Sequence, residues 1–117
     1  MVARAHRISR GADFQRLFSR GNRVHLPALT LVSARNGNKD TRYAVVVGLT
    51  VTKRANVRNL LRRRLSEYLR RTLPTIASGY DCVFVVRPPA VKAAREAMRD
   101  AAAILLRRAG LLPPHQP

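Results

Sequence analysis

The sequence predicts an α+β fold, a two-layer sandwich with the element order α-β-β-α-β-α in which helices pack against a small mixed sheet. Three observations lead to this prediction. Segments 26–35, 42–52 and 80–87 are rich in β-branched and apolar residues, as strands are. Segment 57–72 carries apolar residues at helical spacing. The 117 residues, 46% of them hydrophobic, suffice for one core, so a single domain over 1–117 is expected.

The first helix is predicted just after the N-terminal residues. Ser9 can cap a helix that covers residues 10–19, and Gly21 can end it in the left-handed conformation. Phe14 and Phe18 fall on one side of this helix. Both suit a core position, and both also suit an aromatic binding wall, because basic residues flank them.

The strand segments predict the layout of the sheet. Pro27 stands near the start of segment 26–35, where a missing hydrogen-bond donor does least harm. The turn residues at 36–40 predict a hairpin between this strand and segment 42–52. Segment 80–87 is apolar enough to be buried on both faces. If the second and third strands are parallel, the helix between them must cross over, and the general rule makes that crossover right-handed.

The last helix is expected to open at the two prolines 88–89 and to run to about residue 109. The two ends of the chain, 1–8 and 111–117, are expected to be flexible, the first as a basic arm.

The most distinctive segment is the long helix, for which Asn56 is the predicted N-cap. One side of the helix is apolar, with Val57, Leu61, Leu65, Tyr68 and Leu69. The other side carries Arg58, Asn59, Arg62, Arg63, Ser66 and Arg70. Glu67 is the only acid among six arginines from 58 to 71, whereas solvated helices usually mix charges. This unbalanced face therefore favours binding of a polyanion over plain solvation.

The whole-chain charge points the same way. Twenty-three basic residues against six acids give a formal net charge of +17, which indicates nucleic acid or an anionic membrane as partner. A membrane role is disfavoured because the long helix needs its apolar side for the core. A DNA-binding regulator is disfavoured because no short helix-turn-helix partner precedes the basic helix.

No catalytic or metal-binding side chain is predicted. Cys82 is the only cysteine and lies in an apolar strand, so a buried core residue in a reducing cytosol is expected. His6, His25 and His115 lack metal-ligand spacing, and no bound cofactor is expected. The first residues lack the apolar run of a secretion signal, so a cytoplasmic protein is expected.

Two sequence patterns match a known family. Arg58-Asn59-Leu60-Leu61-Arg62-Arg63 fits the signature Arg-Asn-x-x-Lys/Arg-Arg, and the N-terminal pattern consists of Arg7-Ile8, Asp13-Phe14, Phe18, Gly21 and Arg23. With the segments GLTVTKR and DCVFVVRPPA, they cover residues from about 7 to about 105. On these residues the chain resembles the protein subunit of bacterial ribonuclease P.

The resemblance implies an accessory subunit of an endoribonuclease, in which a catalytic RNA with Mg²⁺ removes the 5′ leader of precursor tRNA. It also implies a left-handed crossover, as in a ribosomal-protein domain of similar fold. A monomeric protein that binds neither membrane nor DNA is expected. The implied contact with the catalytic RNA comprises Arg58, Asn59, Arg62 and Arg63, extended by Lys53, Arg54, Ser66 and Arg70. The implied leader cleft comprises Phe14, Phe18, Arg10, Arg7 and Val32.

The chain departs from the family pattern at three places. The turn at 53–56 is short and lacks glycine, Ser66 replaces a signature arginine, and Val32 replaces an aromatic residue found in some members. A basic ribosomal protein on structured rRNA remains the alternative, because composition alone does not separate two small basic RNA-binding proteins.

Overall fold

The computed structural model describes residues 6–8 and 10–113. Its helices and strands confirm the predicted α+β class, with one strand more than expected. In chain order they are α1 (Gly11–Arg20), β1 (Asn22–Leu26), β2 (Leu29–Arg35), β3 (Arg42–Val46), α2 (Ala55–Thr72), β4 (Tyr80–Val86) and α3 (Arg95–Arg108). Short 3₁₀ turns at Leu73–Thr75 and Pro88–Lys92 flank β4.

The four strands form one mixed sheet in the order β1-β2-β4-β3. Strand β2 is antiparallel to both β1 and β4, whereas β3 is parallel to β4, with α2 as the crossover between them. The predicted strand 26–35 is wrong in its first residues, because Pro27 and Ala28 form the turn of a β1–β2 hairpin. Proline cannot donate to a ladder and favours turns, which explains the break.

The predicted hairpin between the segments now called β2 and β3 is also wrong, because β4 lies between these two strands. Strand β4 takes the central place since it is apolar on both sides: Val83 and Phe84, on opposite faces, are both fully buried. The predicted strand 42–52 ends early, at Val46. Beyond it the Val51 N–H donates to the Gly48 carbonyl (3.1 Å), and this turn directs the Val51 side chain into the core.

The sheet has an apolar cluster on each face. The larger cluster lies under α2 and α3 and includes Phe84, Leu65 and Leu105. The smaller cluster lies under α1 and contains Ile8, Leu17, Val32 and Val83. Helix α1 therefore adds a layer on the opposite face, which the predicted two-layer sandwich did not include.

Gly21 ends α1, but not in the predicted left-handed conformation: its φ is −72°. Glycine is needed here for space. A Cβ at this position would approach the Leu17 carbonyl oxygen to 2.4 Å and Val32 Cγ1 to 2.7 Å. The missing side chain lets the chain pass close to β2 as it leaves the helix. The predicted cap, Ser9, lies outside the described residues.

Helix α2 begins at Ala55, two residues earlier than predicted. Arg54 is the N-cap without a side-chain hydrogen bond, so the prediction of Asn56 as cap is wrong. The predicted apolar side is confirmed, because Leu65 and Leu69 are buried and face the larger cluster.

The first residue of the predicted C-terminal tail, Leu111, packs on the fold. Helix α3 starts at Arg95, after the 3₁₀ turn that the two prolines open. Leu111, which was expected to begin a flexible tail, is buried, and its backbone N–H donates to the Leu106 carbonyl (2.8 Å).

Candidate nucleic-acid interface

The outward side of α2 and the turn before it form a basic surface, hereafter the α2 basic face. It comprises Lys53, Arg54, Arg58, Asn59, Arg62 and Arg63. All of them are exposed except Arg58, which is half-buried. Because the apolar underside of α2 is fixed on the core, these side chains point away from the sheet as the sequence predicted.

Two hydrogen bonds organise the α2 basic face. Arg58 Nη1 donates to the Thr52 carbonyl (2.9 Å), so this guanidinium group supports the turn that lacks glycine. Arg62 Nη1 donates to Asn59 Oδ1 (2.8 Å), one helical turn away. Asn59 thereby holds Arg62 in place while its own amide N–H groups remain able to donate.

Charge on this face is largely unmatched by acids. Within residues 6–8 and 10–113, no ion pair involves Lys53, Arg54 or Arg63. Glu67, the acidic residue nearest to Arg63 in the sequence, does not neutralise this face because it pairs with Arg70 and Arg71 further along α2. Adjacent unpaired cations repel one another, and an external polyanion would relieve that repulsion.

Arg70 differs from the other predicted contacts because a carboxylate already binds it. Arg70 Nη2 lies 2.6 Å from Glu67 Oε1, and Arg71 Nε lies 3.2 Å from the same oxygen. The hydrogen bond from Arg70, with the charges of both arginines, lowers the pKa of Glu67 to about 2. Ser66 is half-buried, and its carbonyl accepts a hydrogen bond from Tyr43 Oη (3.4 Å). Both residues lie on the same side of α2, about one and two turns beyond Arg63, and the charge of Arg70 is already matched by Glu67.

A buried ionic network attaches α1 to the sheet. Asp81 on β4 is fully buried and accepts four hydrogen bonds. Arg42 donates two of them (2.6 and 2.8 Å), Arg16 of α1 donates one (2.9 Å) and Asn36 donates one (3.0 Å). Asp13 of α1 adds a longer contact to Arg42 (3.5 Å). The bond to Asp81 raises the pKa of Arg42. Sequence reasoning missed this network because its members are far apart in the chain.

The two phenylalanines of α1 occupy different environments. Phe14 is half-buried against the smaller apolar cluster, so much of its ring is used in packing. Phe18 is 39% exposed, and the guanidinium of Arg23 lies over its ring at 5.6 Å from the centroid. An exposed ring with a cation on it can stack on a nucleobase. Phe18 is thus the more accessible of the two rings.

The remaining predicted leader contacts divide into exposed and buried residues. Arg7 and Arg10 are exposed. Arg7 forms a parallel bridge with Tyr43 of β3, so this end of the predicted arm is attached to the sheet. Val32 is fully buried beneath Leu17 and offers no surface to a ligand.

A row of side chains next to α1 lies on one face of the sheet, with only the residues at its two ends, His25 and Val46, exposed, and sequence reasoning missed it. Strand pairing aligns His25, Thr30, Val85 and Val46 across all four strands. Val46 is 36% exposed, and His25 Nδ1 lies 3.0 Å from Thr30 Oγ1. The row could not be found because β1 was not predicted and β4 was not placed next to β2.

Other chemistry is sparse in the described part of the chain. Burial raises the pKa of the Cys82 thiol to about 12, consistent with a core residue. No three His, Cys, Asp or Glu side chains converge among residues 6–8 and 10–113. In the same residues, no helix is both long and apolar enough to span a membrane.

A helix with an unbalanced arginine face, on a small and strongly basic α+β domain, defines a protein of the nucleic-acid-binding class. Comparison with known proteins identifies the family. The family model described as Ribonuclease P matches residues 2–110. The ribonuclease P protein component of Xanthomonas oryzae is 38% identical over 94% of this chain and 74% of its own. The ribonuclease P protein component of Chloroflexus aurantiacus is 37% identical, over 96% of this chain and 83% of its own.

Solved structures agree on the fold. The Staphylococcus aureus RNase P protein aligns with a TM-score of 0.85 at 22% identity, covering 92% of this chain and 98% of its own. The Thermotoga maritima RNase P protein aligns with a TM-score of 0.79 at 25% identity, covering 87% of this chain and 96% of its own. The chain belongs to the ribonuclease P protein family and is a protein component of ribonuclease P. The alternative of a ribosomal protein is therefore discarded.

Proposed function

We propose that the α2 basic face docks on the RNA component of ribonuclease P. The observation that carries this is the set of exposed cations on one rigid helix with no acid matched to Lys53, Arg54 or Arg63 in the described residues. Folded RNA presents phosphates at fixed positions, and a helix held by its apolar side can meet several at once. Guanidinium groups bind phosphate through two parallel hydrogen bonds, and Asn59 can donate to a hydroxyl or base edge.

The cleft beside α1 is proposed to take the 5′ leader of precursor tRNA. A leader of variable sequence needs a groove that tolerates any base, with positive walls and one or two stacking surfaces. Phe18 with Arg23 supplies the stacking surface, and Arg7 and Arg10 supply charge. Phe14 and Val32 support the groove from below rather than lining it.

The chemical step is proposed to belong to the RNA partner with its Mg²⁺ ions. Support comes from three of the six acidic side chains, which are already engaged: Asp13 and Asp81 hold α1 on the sheet, and Glu67 pairs with two arginines. The protein then acts by binding and positioning. Clustered cations also reduce the repulsion between two RNA molecules.

The direct test is cleavage of a leader-bearing precursor tRNA by the cognate RNA at low Mg²⁺, with and without the protein. The expected result is that the protein strongly increases cleavage at the 5′ end of the mature tRNA. Equal cleavage without the protein would contradict the docking role. Cleavage by the protein alone would contradict the assignment of chemistry to the RNA.

A further inference from the structure

A pocket between α2 and α3 carries three arginines that the α2 basic face does not include. Arg64 comes from α2, and Arg95 and Arg99 come from α3. The rest of the lining is apolar, with Leu61 and Met98 among it, and no acidic side chain lines the pocket. Three arginines therefore line a largely apolar site, hereafter the α2–α3 arginine pocket.

Two donors in this pocket have no acceptor within the described chain. The Nε atoms of Arg64 and Arg99 are buried and make no hydrogen bond. No ion pair within residues 6–8 and 10–113 involves Arg64, Arg95 or Arg99. A buried charged donor without an acceptor costs about 1–3 kcal/mol or more. An acceptor from outside the chain, from solvent or from a ligand, would satisfy these two donors.

The start of α3 adds to the positive field. Arg95 is the first residue of this 14-residue helix, and the N-cap Ala94 supplies no side-chain hydrogen bond. The free N–H groups of a first helical turn and the helix dipole both favour an anion there. Glu96 offsets part of this field, but it is exposed and does not line the pocket.

The size of the pocket restricts the occupant. The pocket is partly open, and the space within it for a water-sized sphere is about 20 Å³, enough for one water molecule or one ligand oxygen atom. A water molecule could accept from the two Nε–H groups, yet it would leave three charges uncompensated. A phosphate oxygen would satisfy the donors and the charges together, through the short charge-assisted bonds that guanidinium groups form.

We infer that the α2–α3 arginine pocket binds a backbone phosphate of RNA and forms a second contact beside the α2 basic face. RNA is the source of phosphate that the surroundings favour, because Arg63 of the basic face and Arg64 of the pocket are neighbours, about 100° apart around one helix. A strand that lies on the basic face can thus reach the pocket. This inference rests on the proposed function of the α2 basic face.

The test compares the double variant Arg64→Gln/Arg99→Gln with Arg107→Gln/Arg108→Gln. The control removes the same charge from exposed positions in the last turn of α3. Affinity for the ribonuclease P RNA is measured against salt concentration. The pocket variant is expected to bind more weakly than the control, with a salt slope shallower by about 1. A pocket variant that matches the control in affinity and slope would overturn the inference.

A second measurement needs no variant and decides the question even if the double variant unfolds. The Nε–H signals of ¹⁵N-labelled arginines are followed by NMR as a short RNA hairpin is added. Signals of Arg64 and Arg99 are expected to shift together with those of Arg62 and Arg63. A shift of Arg62 and Arg63 alone would mean that the pocket holds only water and would overturn the inference. If wild-type protein does not bind the ribonuclease P RNA at all, the proposed function itself fails.

Discussion

At the scale of single residues, the affinity of the α2 basic face for RNA depends on which guanidinium groups already pair with a carboxylate. Glu67 is half-buried on α2 and holds both Arg70 and Arg71, whereas Arg63 has no such partner in the described chain. Since the pKa of Glu67 falls from 4.5 to about 2, its ion pairs are complete above pH 4.5. Their contribution to folding stability is lost as the pH falls through about 2.

Glu67→Gln is expected to increase RNA affinity and to steepen its salt dependence. The substitution releases Arg70 and Arg71 and removes a negative charge beside the phosphates. Binding to the ribonuclease P RNA is measured across a salt series at pH 7, with Asp40→Asn as a control for the same change in net charge. If both variants gain equally, Arg70 and Arg71 lie outside the RNA contact.

Phe18→Ala is expected to weaken binding of leader-bearing precursor tRNA more than binding of mature tRNA. The Phe18 ring is 39% exposed, and loss of one base stack costs about 1–3 kcal/mol.

Phe14→Ala is expected instead to lower the free energy of unfolding, because Phe14 packs on the smaller cluster. Binding assays with the two tRNA forms and urea denaturation separate the effects. Equal loss for both tRNA forms in Phe18→Ala would argue against a leader contact.

At the scale of secondary-structure elements, the position of α1 over the sheet determines the cleft. Apolar packing of Leu17 holds the helix down, and the network around Asp81 fixes it relative to β3 and β4. The bonds to Asp81 come from α1, from β3 and from the turn after β2. One carboxylate thus couples three segments that are distant in sequence.

Asp81→Asn is expected to destabilise the protein by about 3–5 kcal/mol, because it leaves Arg16 and Arg42 with only the longer contacts to Asp13. Urea denaturation measures the change. The control is Asp100→Asn, an exposed acid on α3 whose loss should change stability by at most about 0.5 kcal/mol. Asp81→Asn with the stability of the control would show that the network does not hold α1.

At the scale of the whole molecule, the sequence was most informative about features that depend on the residue pattern within a single helix or strand. The amphipathic pattern of α2 predicted both its buried side and its basic face, and the apolar run of β4 predicted burial on both faces. Strand order could not be predicted in this way, because β4 pairs between β2 and β3 through contacts that sequence spacing does not encode.

The same limit applies to the candidate site. Arg58, Asn59, Arg62 and Arg63 were found because they share one helix. The row from His25 to Val46 was not found, because it depends on the pairing of four strands. Whole-chain charge predicted a polyanion partner. Only the folded structure distinguishes arginines that pair with acids from arginines that are free to bind an external anion.

The central claim, that the α2 basic face is the docking surface for RNA, is tested most directly by Arg62→Ala/Arg63→Ala. Affinity for the ribonuclease P RNA is measured against salt concentration, and thermal unfolding reports on the fold. The variant is expected to keep its thermal stability, because both side chains are exposed. It is expected to lose affinity, with a salt slope shallower by about 1–2. Wild-type affinity and an unchanged slope in this variant would contradict the account.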